Sequence, residues 1–203
     1  MSPKVSAEYM RVRRSEILEA ATTIFSEKGF HAATLDDVAA GAGVSKGSIY
    51  NHFDSKESII DALTQQWGAL EDETFSLAGR SGSPAAALGE VSKMTIGRMR
   101  RHGFRDSVRL ELFLWAEALV NPRIGRSQRE LATEWRRRVR ELVEAAQEAG
   151  EIDRRVDGEA VAVFLGSFFM GLYMHDAWGV GFKRADMERF LGSFLSGLAK
   201  PAS

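Results

Sequence analysis

The chain has 203 residues, 44% of them hydrophobic and 27% charged, enough for one sizeable core or two small ones. Its 27 Lys and Arg against 28 Asp and Glu leave a net charge of −1, so any binding to nucleic acid or membrane must come from local arrangement. The lack of cysteine excludes disulfide scaffolds, thiolate metal sites and cysteine nucleophiles and fits a cytoplasmic protein, and four prolines with 19 scattered glycines argue against a disordered or collagen-like chain.

The start, MSPKVSAEYMRVRRSE, is polar and basic with no apolar stretch behind it, and is not expected to act as a secretory signal. It reads as a flexible arm carrying Lys4, Arg11, Arg13 and Arg14 against Glu8. Ile17, Ala20, Ala21, Ile24 and Phe25 then follow helical spacing up to Gly29. A short pattern of Leu35, Val38, Ala39 and Ala42 meets Gly43, and another begins at Ser45. A long helix is predicted from about Ser55 to Ala78, closed by the turn-rich stretch Gly79 to Pro84. Further helices are predicted over about 85–101, 106–120, 126–149, 157–177 and 184–198, with Asn121-Pro122 read as a stop. No alternating strand pattern bounded by hairpin turns occurs, so the fold class is all-α. The apolar run Ala160 to Met174 is shorter than the roughly 18 residues of a membrane span and reads as a buried helix, so no membrane partner is expected. FLGSFFMGL (164–172) is echoed by FLGSFLSGL (190–198), two aromatic and Gly/Ser-rich helices that suit either the core of a monomer or half of a dimer bundle.

The stretch Thr34 to Lys56, TLDDVAAGAGVSKGSIYNHFDSK, carries the most information. Thr34 and Asp37 have capping-box spacing, Gly43 supplies a tight turn, and the Ser45 hydroxyl is placed to accept from the Ser48 amide. Ile49 shares an inward face with Val38, Leu35 and Phe53. Two short helices joined by a glycine turn make a helix-turn-helix. On the outward side Ser45, Lys46, Ser48, Asn51 and His52 offer donors and acceptors, Gly47 lets a phosphate approach the backbone, and Tyr50 suits stacking on sugar or a thymine methyl. Helix N-termini also favour anions. Lys46 and Lys56 suit phosphate contacts that set register, while Ser48, Tyr50 and His52 suit base readout.

Residues 11–67 resemble the DNA-binding domain of tetracycline-repressor (TetR) type regulators, on the run ILEAATTIFSEKGFHAATLDDVAAGAGVSKGSIYNHFDSKESII with its consecutive GVSKGSIYNHF and trailing SKE. The remainder resembles the family in outline: helices of suitable number and length, about nine in all, ending in two apolar ones. The resemblance implies a homodimer on a double-stranded DNA operator, with a helix-turn-helix domain over 1–54 and an effector-binding and dimerisation domain over 55–203. It implies DNA contacts at Thr34, Ser45, Lys46, Gly47, Ser48, Tyr50, Asn51, His52 and Lys56. It also implies a fourth helix linking reading head to ligand pocket, and a dimer interface from the last two helices, here at Phe164, Gly166, Phe168, Phe190, Gly192 and Phe194.

Competing motifs lack their chemistry. GAGVSKGS (41–48) has Lys before Gly and a helix upstream, the wrong order for a phosphate-binding loop. His31, His52, His102 and His175 lack metal-ligand spacing. No nucleophile elbow or scaffolded carboxylate pair occurs, so neither an enzyme nor a cofactor is expected. Arg136, Arg137, Arg138 and Arg140 stand among Glu130, Glu134, Glu141 and Glu144 at intrahelical pairing distance, which suits a solvated ion-paired face. An aromatic and methionine-rich interior drawn from Trp67, Met94, Phe113, Trp135, Phe168 and Tyr173 suits either plain core or a pocket for a small, largely apolar effector. Glu117 and Glu111 suit either the polar end of such a ligand or solvent. The TetR resemblance implies a ligand-responsive repressor, and that is the function expected here. The alternative is an all-α small-molecule-binding or interaction protein without operator-specific DNA binding.

Overall fold

The computed structural model describes residues 7–199, which form nine α-helices and no strand. They divide into two compact units, one reaching Gln66 and including 106–128, the other comprising 67–105 and 129 onward.

In the first unit, α1 (Ala7–Ala32) is broken at Gly29, whose φ of 76° and ψ of 160° only glycine adopts without strain. The expected flexible arm is corrected here: residues 7–16 are the first turns of α1. Glu8–Arg11 and Arg13–Glu16, each 2.7 Å apart, are i,i+3 pairs that support helix at this end. Lys4 lies outside the described residues. The helices α2 (Leu35–Gly41) and α3 (Lys46–Tyr50) follow, and α4 (Lys56–Ala78) begins after a reciprocal Ser55–Ser58 cap. Ile17, Phe25, Val38, Ile49, Ile59 and Ile60 are buried.

In the second unit, α5 (Pro84–Arg98) starts on a Ser83 cap, with Pro84 in its first turn. The helix α6 (Phe104–Ala118), which belongs to the first unit from residue 106, ends at the sequence stop near Asn121, but α7 (Pro122–Glu148), assigned to the first unit up to residue 128 and to the second from 129, starts about four residues earlier than predicted. Asn121 Oδ1 accepts from the amides of Arg123 and Ile124, so Asn121-Pro122 both ends one helix and caps the next. The arginines of α7 are ion-paired as the spacing predicts: Arg137 with Glu134 and Glu141, Arg138 with Glu134, Arg140 with Glu144.

The helices α8 (Gly158–Ala177) and α9 (Arg184–Ser196) are the last two among the described residues. Val161, Ala162, Leu165, Phe169 and Leu172 of α8 pack with Val139, Val143 and Leu191 in the core. The expectation of a fully buried helix is corrected by the opposite face, where Val163, Phe164 and Met170 are exposed. Apolar residues occupy both faces of α8, and this chain alone covers one. At 20 residues with a mean hydropathy of 1.3, α8 is longer than the apolar run suggested and satisfies the length and composition of a membrane span, while packing one face into the core.

Candidate nucleic-acid interface

The local signals of the helix-turn-helix are realised in detail. Thr34 Oγ1 accepts from the Asp37 amide at 3.1 Å, and Asp37 Oδ2 accepts from the Thr34 amide at 2.9 Å. Lys28, 2.6 Å from Asp37 Oδ1, together with the Thr34 hydroxyl and amide, lowers the Asp37 carboxyl to about 2. Gly43 turns the chain at φ 63°, and the Val44 amide closes the turn onto Ala39 O at 2.9 Å. Ser45 Oγ accepts from the Ser48 amide at 3.1 Å. Ile49 of α3 is fully buried while the adjacent Tyr50 is 51% exposed, so the short helix is anchored on one side and bare on the other.

The predicted contact residues then separate by what they already hold. Lys46, Gly47, Tyr50 and Asn51 are exposed, and no atom lies within 4 Å of where a Gly47 Cβ would stand. Lys46 Nζ pairs with Asp36 Oδ2 at 2.7 Å, and this pair holds the ammonium pKa up. The Thr34 and Ser45 hydroxyls serve as caps. Half-buried His52 sits beside Phe53, with Arg14 Nη1 3.4 Å from its carbonyl. Burial, with Arg14 and Arg13 nearby, lowers the His52 pKa, favouring a neutral ring able both to donate and to accept. Lys56 points elsewhere: its Nζ donates to Phe30 O at 2.6 Å, Ala33 O at 2.9 Å and His31 O at 3.2 Å. Sequence reading missed Asp36, because a pair ten residues apart across a turn leaves no periodic signal.

Residues 17–63 match the model of bacterial regulatory proteins of the tetR family, and residues 91–200, more than half of the chain, match the C-terminal model of BetI-type transcriptional repressors. The chain belongs to the TetR family. The HTH-type repressor KstR2 of Rhodococcus jostii is 48% identical over 60 residues, which is 30% of this chain and 28% of that protein, so the match spans less than a third of that relative's length. The HTH-type regulator UidR of Escherichia coli is 32% identical over 144 residues, 68% of each chain. A TetR regulator from Chloroflexus aurantiacus shares the fold, with a TM-score of 0.80 at 20% identity over 96% of this chain and 100% of that one. TetR-family regulators bind operator DNA, act as dimers and answer to small-molecule effectors.

The residues of the aromatic and methionine-rich interior, and those that the resemblance implies for a dimer interface, are distributed as follows. Phe113 and Glu117 belong to the first unit and Trp67, Met94, Trp135, Phe168 and Tyr173 to the second. Glu117 is buried, with Oε2 2.7 Å from His31 Nε2. Trp135 contacts Phe75 and Phe169, and its indole nitrogen is buried without a hydrogen-bond partner. Tyr173 packs edge-on against Phe104 at 5.1 Å. Clefts of about 520 and 530 Å³ lie around Gln147, Ile152 and Arg155 and around Val156, Gly197 and Ala199. Of the dimer set, Phe194, Phe164, Phe168 and Phe190 form a ladder of stacked rings at 4.4, 6.2 and 6.2 Å between centroids. Gly166 faces inward, its Cβ direction 3.5 Å from Trp135 Nε1, whereas Gly192 is exposed with open space around it.

Proposed function

We propose that the protein is a cytoplasmic, ligand-responsive transcriptional repressor without catalytic activity, binding a palindromic operator as a homodimer and released by a small, largely apolar effector. Residues 1–54 are the reading head and 55–203 serve effector binding and dimerisation. The observation that carries this reading is α3, capped by Ser45, anchored by buried Ile49 and exposing Lys46, Gly47, Tyr50 and Asn51 together. Lys46 contacts phosphate and Gly47 admits close approach of the backbone. Ser48, Tyr50 and neutral His52 read base edges, and Thr34, Ser45 and Asn51 border the contact.

One head of this size reads only a few base pairs, so useful affinity needs two heads about 34–36 Å apart, one turn of DNA, or a multiple of that. The exposed phenylalanine ladder of α8 and α9 supports a second copy of the chain as its cover. The test is a gel shift with duplexes from upstream of the protein's own and neighbouring genes, against random duplex of equal length. One upstream duplex should shift at protein concentrations that leave random DNA free. Equal binding to all, or none, would favour a small-molecule-binding protein without an operator.

A further inference from the structure

The segment joining α1 to α2 begins at Gly29, whose positive φ interrupts the helix, and because α1 ends at Ala32 the carbonyls about its end have no intrahelical donor. Three of these, on Phe30, His31 and Ala33, are taken by the ammonium of Lys56, the first residue of α4. An ammonium has three protons, and here three acceptors lie within 3.2 Å of it. The same nitrogen stands 4.7 Å from the centroid of the buried Phe30 ring, a cation–π contact that adds to the hold. A cation at the end of α1 also complements its dipole.

The other side of the joint is held by α6. Glu117 accepts from His31, and the Phe113 ring lies 3.8 Å from where a Gly29 Cβ would stand. The joint leads directly into the Thr34 cap of α2, on which α3 rests.

We propose that Lys56 is a positioning residue that fastens the α1–α2 joint to the start of α4, and that its ammonium does not contact DNA phosphate. The inference builds on the DNA-binding reading but is tested first without DNA. Brief acetylation of the wild-type protein followed by peptide mass spectrometry should modify Lys56 at least about tenfold more slowly than exposed Lys46, because the amine reacts only on local opening. Adding operator should slow Lys46 and leave Lys56 unchanged. Lys56 reacting as fast as Lys46, and protected by operator, would overturn the proposal.

The second arm is Lys56→Met. Operator and random DNA should lose affinity together with the salt slope retained, while amide hydrogen exchange at Ala33 and Thr34 accelerates. A slope reduced by roughly one unit per head, with exchange unchanged, would mark a phosphate contact and overturn the proposal. If Lys56→Met does not fold, the acetylation contrast on the wild type still decides. A protein that binds no duplex but keeps Lys56 slow to acetylate would refute the operator reading and leave the clamp standing.

Discussion

Glu117 Oε2 lies 2.7 Å from His31 Nε2, and the two side chains differ sharply in environment, 9% exposed for the carboxylate and 81% for the imidazole. The carboxylate is thus withdrawn from water while its partner reaches in from solvent. Removing His31 leaves a buried acceptor unpaired, whose desolvation is then uncompensated. His31→Ala should therefore destabilise the protein by about 1–3 kcal/mol. Glu117→Gln should cost less, since the amide offers the imidazole either a donor or an acceptor. Thermal unfolding of both single variants and the double variant gives the coupling, expected at roughly 0.5–3 kcal/mol for groups in contact. Strict additivity would show that the pair does not hold the joint.

Acid should weaken the capping box in a defined window. Asp37 is held at about 2, first by Lys28 and then by Thr34, against a usual 3.8. Between these values the unfolded chain takes up a proton that the folded carboxyl refuses, so stability falls as pH falls through that interval. The stability difference between wild type and Asp37→Ala, from urea melts, should be constant above about pH 5 and shrink towards pH 2. A difference that stays level across this range would remove the carboxylate from the cap.

How much of this was readable beforehand depended on how local each signal is. Thr34–Asp37 and Ser45–Ser48 are separated by three residues, and both bonds form as the spacing predicts. The burial of Val38, Ile49 and Phe53 followed from helical period and turn. The bonds of Lys56 leave no such signal, because its acceptors lie 23 to 26 residues earlier and are backbone carbonyls, which sequence does not mark. Asn121-Pro122 is ambiguous in sequence: it marks a stop, and proline at the first helical position with a preceding Asn is equally a start. The exposure of Phe164 and Met170 was hidden because α8 is apolar around its whole circumference, and period cannot say which face this chain leaves bare.

The pair between Lys46 and Asp36 makes a prediction about DNA affinity. Exposed pairs of this kind contribute little stability, but Asp36 competes with phosphate for the ammonium and adds a negative charge beside it. Asp36→Ala should tighten binding to operator and random DNA alike with little change in melting temperature. Lys46→Ala should weaken both and reduce the salt slope by roughly one unit per head. Substitutions at Ser48 and Tyr50 should instead lower the ratio of operator to random affinity. Fluorescence anisotropy titrations at several salt concentrations separate these patterns, and equal losses at all positions would show that the base readers lie elsewhere.

The phenylalanine ladder offers the sharpest test of assembly. Phe190 is 54% exposed and Phe164 38%, and their rings continue through Phe168 and Phe194 along α8 and α9. Apolar area of this kind, covered by a second copy, stabilises by about 25 cal/mol per Å² removed from water. A two-fold interface contains every substituted residue twice, once from each copy, so one carboxylate substitution introduces two charges into a dry interface. Phe190→Glu should be the milder choice for the monomer, because that side chain is already half in water. Light scattering at micromolar concentration should then report a dimer for wild type and a monomer for Phe190→Glu, with unchanged helical circular dichroism. Operator affinity should fall towards that of a single head, because the half-sites are no longer bound in one event. A wild-type monomer would remove the dimer reading. A variant that stays dimeric and still binds operator would place the interface away from this face.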